Sequence, residues 1–267
     1  AGLDTACHDL TARRAGLPLA RALNPNAAAS VPVYASGIKI TDAQAEIASA
    51  RAQGIKAFKV KIGFDMARDL ATLEQLSSDL RENERLFTDA NQAWDTATAL
   101  HFMQAAKDLN IGWIEEAIPA DAPTADWASL AALGTLPLAG GENITGADNF
   151  AASTAHLTYI QPDVAKWGGV TGCFEAAQKI TQAGRTYCPH FLGGGLGLMA
   201  SAHLLAATGG KGLLELDINA NPLRDDLLPK ASLRDGKFHL SAIPGLGVDT
   251  LPDSLTGFET LNLETTP

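Results

Sequence analysis

Short apolar runs alternate with helical stretches along most of the chain. The apolar runs are VPVYASG from Val31, AFKVKIG from Ala57, RLFTDA from Arg85 and GWIEEAI from Gly112. LPLAGGE from Leu136, LTYIQPDV from Leu157, RTYCPH from Arg185 and GLLELD from Gly212 complete the set. Each is short, β-branched or apolar, and followed by a helix start or a Gly/Pro turn, which is how a strand reads. The opening segment, about Asp4 to Leu23, has the pattern of an amphipathic helix. TDAQAEIASARAQG reads as a helix with Thr41 as N-cap and Gly54 at its close. Further helices are expected over Thr96 to Asn110 and in GCFEAAQKITQAG, which ends at Gly184. Eight strands alternating with helices predict a parallel sheet, and eight such units close into an α/β barrel. An open doubly wound sheet would want a Gly-rich phosphate loop after its first strand, and YASGIKI is not one. The barrel is expected over residues 31–218. Residues 219–267, punctuated by Pro and Gly, read as a wrapping extension with a strand pair near KFHL.

Composition narrows the function classes. The chain has 267 residues, 46% of them hydrophobic, enough for one barrel with a large core. Its net charge of −10 comes with no basic patch, which argues against nucleic-acid binding. Cys7, Cys173 and Cys188 are widely spaced and lack a CxxC pair. They are expected as buried small hydrophobes without disulfides, in a reducing cytoplasm. No apolar run is long enough to span a bilayer, and the first residues lack the pattern of a signal peptide. There is no initiator Met, so the front end reads as processed, trimmed or incomplete.

Candidate chemistry sits at the ends of the expected strands. Lys59 and Lys61 close the second, Asp89 the third, Glu115 the fourth and Glu142 the fifth. Asp163, His190 and Glu215 follow on the sixth, seventh and eighth. Successive steps from Lys61 are 21 to 28 residues, near one β/α unit each. In a barrel all strand ends share one mouth, so these groups converge. Asp89, Glu115 and Glu142 make an all-oxygen set of the kind that takes a hard cation such as Mg²⁺. Glu116 alternates to the other strand face and is expected to be structural. Lys59 and Lys61 share a face, and their mutual repulsion is expected to lower one pKa and yield a neutral amine base. Asp163 beside His190 would fix the imidazole tautomer and raise its basicity. His8, His101, His156, His203 and His239 lack such a partner and read as helix or surface residues. Lys166 falls in the loop above the sixth strand, with its role open.

The motifs AFKVKIG, TDANQAW, WIEEAI, GGEN, IQPDVAKWGGVTG, PH at 189–190 and LLELD occur in order along the chain. Together they resemble the mandelate racemase and muconate-lactonising group of the enolase superfamily. The resemblance implies a modified TIM barrel, (β/α)7β, with one Mg²⁺ per active site held by Asp89, Glu115 and Glu142. Lys61 would be one general base, with Lys59 helping to neutralise the substrate carboxylate. Asp163 and His190 resemble the dyad of the mandelate racemase-like subgroup, and Glu215 the acid that bonds an enediolate. Ser36, Asn91 and Lys166 are the candidate substrate contacts. The implied reaction is abstraction of the proton α to the carboxylate of a small molecule, by a lyase or an isomerase. Dehydration of a sugar acid is the first expectation, and racemisation or epimerisation the second. A third reading is a truncated barrel kept for binding or assembly. Relatives of this group carry an N-terminal capping domain and often assemble, so a homo-oligomer is implied. Residues 1–30 resemble the helix joining cap to barrel, and the cap itself is absent from this sequence.

Overall fold

The computed structural model describes residues 1–228 and 232–260. Each apolar run contains a strand, in the order β1 Ser30–Lys39, β2 Ala57–Lys61, β3 Arg85–Asp89, β4 Ile111–Glu115, β5 Leu138–Gly140, β6 Tyr159–Ile160, β7 Thr186–Tyr187 and β8 Leu214–Asp217. All eight are parallel, and neighbours in sequence are neighbours in the sheet from β1 to β7, with β8 on the other side of β1. Near-continuous apolar strands suit this arrangement, because helices cover the outer face while the barrel interior covers the other. Between β7 and β8 no strand ladder forms among the described residues. The two are nonetheless brought together: Leu213 N lies 3.4 Å from Cys188 Sγ, and Gly212 packs against the Tyr187 carbonyl. The fold is the α/β barrel expected from the strand and helix pattern.

Register decides where the charges go. Lys61 pairs with Asp89, and Asp89 with Glu115, so these groups stand at one level of the barrel. Two residues earlier on the same face lies another layer. Phe87 precedes Asp89 and Trp113 precedes Glu115; their rings stack with centroids 3.5 Å apart. Tyr34, which precedes Ser36, meets both rings edge-on, and Cys188 and Leu213 complete this buried layer below His190 and Glu215. The apolar plug closes the barrel from beneath and keeps water away from the charges above it.

The outer helices are α1 Gly2–Arg14, α2 Leu19–Leu23, α3 Ala43–Ala52, α4 Met66–Ser78, α5 Thr96–Ala105, α6 Thr124–Leu133, α7 Ala147–Ser153, α8 Gly169–Gln182 and α9 Gly195–Thr208. Several bounds differ from expectation. The opening helix is two helices, broken where Gly16 takes φ +68° ahead of Pro18. Asp42, not Thr41, flanks the start of α3, and no side chain caps it. Helix α5 ends at Ala105, five residues short of Asn110. After β8 come a short α10, Pro222–Asp225, and the antiparallel pair β9 Leu233–Arg234 and β10 Lys237–His239. The strand pair expected near KFHL is this one, and β10 also pairs with the start of β1. Of the extension expected over residues 219–267, residues 229–231 and 261–267 lie outside the described residues. Cys173 and Cys188 are buried, whereas Cys7 is exposed on α1, against expectation. No helix among the described residues is long and apolar enough to cross a membrane.

Candidate active site

Lys59 starts in the aromatic layer, register partner of Phe87, and its side chain extends upward. Its ammonium is completely enclosed and lies 2.6 Å from Glu115, 2.7 Å from Glu215 and 3.3 Å from Asp89. Burial opposes this charge, but the three carboxylates outweigh it and hold the Lys59 pKa well above its ordinary value. The expected lowering by lysine–lysine repulsion therefore does not occur at Lys59, where three anions outweigh one neighbouring cation. Lys61, one step nearer the mouth and partly exposed, donates to Asp89 Oδ2 at 2.6 Å and to Asn91 Oδ1 at 2.7 Å.

On the opposite arc of the sheet order, His190 Nδ1 lies 2.7 Å from Asp163 Oδ2, and Nε2 lies 2.7 Å from Glu142 Oε2. Both ring nitrogens face carboxylate oxygens, so both carry protons here. Burial disfavours the imidazolium, yet Glu215, Asp163 and Glu142 raise its pKa to about 10. Glu142 is correspondingly lowered to about 2: burial would raise it, and His190 and Lys166 bring it down. Lys166 Nζ lies 3.1 Å from Glu142 Oε2 and 3.1 Å from Asn143 Oδ1.

Glu215 is enclosed. Lys59 and the Ser36 hydroxyl (2.6 Å) both reach its Oε1, while Phe191 N donates to Oε2. Burial alone would raise the Glu215 pKa, but Lys59 and His190 press it far below the carboxylate range. It is thus an ionised acceptor here, where a donor to an enediolate would need its proton. Ser36 has no exposed surface and donates to Glu215.

The three expected metal ligands are arranged as two groups. Asp89 and Glu115 meet at Lys59, while Glu142 turns to His190 and Lys166. Among the described residues, the set of ligand atoms lying within 4.8 Å of one another is Glu142, Asp163 and His190. Each carboxylate has taken the nearest cationic side chain, which is the electrostatic reason for the split.

Several contributors were not singled out beforehand. Gln161 is buried and donates to Glu115 Oε2 at 2.6 Å. It stands two residues before Asp163, on the same strand face, and that spacing could have revealed it. Glu116, expected to be structural, is buried against the site: both its oxygens accept from Asn143 Nδ2 at 3.0 Å. Burial and the nearby Glu142 raise its pKa to about 7. The strand alternation expected at Glu116 fails because its backbone turns left-handed, φ 42°. Asn91 (φ 45°) and Gln92 (φ 62°) do the same next door, and Gln92 N donates to the Glu116 carbonyl at 2.7 Å. Such φ values are costly for residues other than glycine and cluster at functional sites.

Known proteins carry the same barrel. A crystal structure of a mandelate racemase/muconate lactonizing enzyme from Bordetella bronchiseptica RB50 superimposes with a TM-score of 0.89 at 46% identity, covering 95% of this chain and 70% of that one. An L-talarate dehydratase from Polaromonas sp. JS666, solved in complex with Mg and L-glucarate, superimposes with a TM-score of 0.82 at 30% identity, covering 95% and 70%. The L-talarate/galactarate dehydratase of Salmonella typhimurium LT2 is 31% identical over 254 residues, 92% of this chain and 61% of that enzyme. The chain thus spans between about three fifths and seven tenths of these relatives. Residues 42–254 match the Enolase C-terminal domain-like family, and the chain belongs to it, within the mandelate racemase and muconate-lactonising branch of the enolase superfamily.

Proposed function

We propose that this barrel removes the proton α to a carboxylate in a Mg²⁺-dependent reaction, and that the reaction is dehydration of a sugar acid. The observation that carries the reading is the pair of proton-handling groups around one buried charge cluster. Lys61 stands on Asp89 and Asn91 at one side, and His190 stands on Asp163 at the other. The cluster fits a hard cation by its chemistry. Asp89, Glu115, Glu116, Glu142, Asp163 and Glu215 crowd together against Lys59, His190 and the more exposed Lys61 and Lys166. Carboxyl groups outnumber the cationic groups, and burial, with neighbouring anions, raises the Glu115 pKa despite Lys59. Asp89, Glu115 and Glu142, which offer only oxygen, are the residues that would hold Mg²⁺. When bound, the ion supplies Lewis-acid stabilisation for charge developing on the substrate carboxylate.

The chain's own groups do the rest. Lys61, as the neutral amine after releasing a proton, takes the α-proton on its face of the substrate. Lys59 presents a fixed ammonium where charge builds, held by three carboxylates and requiring no reorganisation. Ser36 positions Glu215, which in turn anchors Lys59 and the Phe191 backbone. His190 carries protons on both nitrogens, so it can hand one to a β-hydroxyl and expel water. The same pair of faces would also permit racemisation, by returning a proton to the α-carbon from the His190 side.

The test is incubation of the chain with Mg²⁺ and a panel of sugar acids in D₂O. Loss of water with formation of a keto product supports dehydration. Deuterium exchange with inversion would instead select the racemase or epimerase reading. No exchange with any acid would sink both.

A further inference from the structure

We propose that Gln161 is a positioning residue for the metal: its amide holds Glu115 in the orientation that a hard cation needs, without bringing a competing charge. The proposal rests on the Mg²⁺ reading above and adds a residue to it. Glu115 Oε1 lies 2.6 Å from Lys59 Nζ, and Oε2 accepts from Gln161 Nε2 at 2.6 Å. Of these two donors, Lys59 is a cation that repels an incoming metal ion, and Gln161 is neutral. An ionised carboxylate has about four lone-pair sites, so each Glu115 oxygen keeps capacity for an ion while both bonds stand. The second observation is the other half of the same amide. Gln161 is 1% exposed, and its Oε1 has no hydrogen-bond partner among the described residues. Because Nε2 must face the carboxylate, flipping the amide does not cure this. A buried oxygen without a donor is rare and costly in a folded chain. Mg²⁺ held by a few carboxylates keeps several waters, and these bring the donors that Oε1 lacks.

The reach of this side chain is built into the strands. Glu115 ends β4 and Gln161 directly follows β6, with β5 between them. Strand β5 ends on Gly140, and Gly141 comes next with φ +144°. A Cβ on Gly141 would lie 2.6 Å from Gln161 N and 2.9 Å from its carbonyl carbon, so only glycine lets the two backbones come this close. Gln161 N donates to the Gly140 carbonyl at 2.8 Å, which fixes the level from which the side chain starts. Gly141 leads directly into Glu142, so the segment that Gln161 packs on is the one that carries a second candidate ligand. The layer beneath is filled by Trp113, Ala139 and Cys188, and packing alone does not call for an amide above it.

The experiment titrates Mg²⁺ alone, by isothermal titration calorimetry, into the metal-free full chain and into its Gln161→Met and Gln161→Asn variants. Thermal melts in EDTA and in saturating Mg²⁺ run in parallel. Gln161→Met keeps the length of the side chain and loses both polar ends. Gln161→Asn keeps the amide but is one methylene too short for Glu115. Both variants should raise the Kd for Mg²⁺ by about 10- to 100-fold, the usual worth of a partner that orients a metal ligand. The gain in melting temperature on adding Mg²⁺ should shrink in step. A Kd within about twofold of wild type in a folded variant overturns the proposal. So does a variant that melts lower by the same amount in EDTA and in Mg²⁺, the mark of a residue that only packs. If Gln161→Met does not fold, Gln161→Asn decides by the same measure; if neither folds, Gln161 is a packing residue and the proposal is overturned. A wild-type chain that takes up no Mg²⁺ removes the metal reading and this proposal together. Unchanged variants beside a wild type that binds remove Gln161 alone.

Discussion

Asp163 and His190 are joined twice. Their backbones form a parallel bridge just beyond the ends of β6 and β7, and their side chains meet at 2.7 Å. The backbone link fixes the separation of the two strand ends, and the carboxylate then selects the orientation of the ring. Replacing Asp163 with Asn keeps the bridge but exchanges an anion for a neutral amide at the imidazole. We expect proton transfer on the His190 face to fall by about 10²- to 10⁴-fold, the usual worth of a positioned acid or base, while the fold is retained. Face-resolved deuterium exchange by NMR, together with a thermal melt, measures both. Unchanged exchange on that face would remove His190 from the mechanism.

Lys59 is the sole cation touching all three of Asp89, Glu115 and Glu215 among the described residues. Lys59→Met would leave three carboxylates in a cavity closed below by Phe87 and Trp113. Breaking a buried ion pair by removing one partner costs about 3–5 kcal/mol. The variant should therefore melt well below wild type in EDTA, and added Mg²⁺ should restore part of the loss if Asp89 and Glu115 are its ligands. A melting temperature in Mg²⁺ no higher than in EDTA would show that the ion does not reach these carboxylates.

Much of this arrangement is legible in the sequence, for a simple reason. Parallel strands read as apolar runs, and a charged residue at the end of each is exceptional enough to mark the mouth. Asp89, Glu115, Asp163, His190 and Glu215 are picked out this way, since a strand repeat of about one β/α unit carries each to the same end of the barrel. What period and spacing do not carry is where long side chains end. Lys59 begins one layer below the site and reaches into it, so its partners follow from the interior packing and not from its position on β2. Glu116 escapes because its left-handed backbone cancels the alternation on which its outward placement depended. His203 escapes for another reason: its partners, Ala20 and Leu246, come from the two ends of the chain, a contact that no local pattern announces.

Gly212 sits where β7 and β8 lie side by side without a strand ladder. A Cβ added there would lie 1.9 Å from the Tyr187 carbonyl oxygen, a backbone atom that cannot step aside cheaply, and 2.9 Å from Leu205. Gly184, by contrast, has a positive φ, +71°, and nothing within 4 Å of an added Cβ. Gly212→Ala should thus separate the last two strands and prevent stable folding, whereas Gly184→Ala should cost only about 1 kcal/mol, the strain of a left-handed residue. Urea unfolding of the two variants distinguishes close packing from backbone strain. Equal, small losses at both positions would mean that the seam is looser than its geometry implies.

His203 on α9 accepts a hydrogen bond from the Ala20 backbone N–H through Nδ1 at 3.0 Å, and its surroundings exclude water. Burial is the chief cause that lowers its pKa from 6.5 to about 4, against a small opposing pull from the Leu246 backbone. In the unfolded chain the imidazole recovers its ordinary pKa, so as the pH falls below about 6.5 the unfolded state binds a proton that the folded state refuses. The contribution is fully present above that point and is lost progressively between about pH 6.5 and pH 4, where the folded imidazole also titrates. Its ceiling is about 3 kcal/mol, from about two and a half pKa units at about 1.4 kcal/mol each. His203→Asn keeps an acceptor for Ala20 while removing the titration. Urea unfolding of both proteins at steps from pH 7.5 to pH 4.5 should therefore show a stability difference that shifts in favour of the variant as the pH falls. Parallel profiles over that interval would mean that the folded imidazole accepts its proton as readily as the unfolded one, and that the Ala20 bond does not hold it neutral.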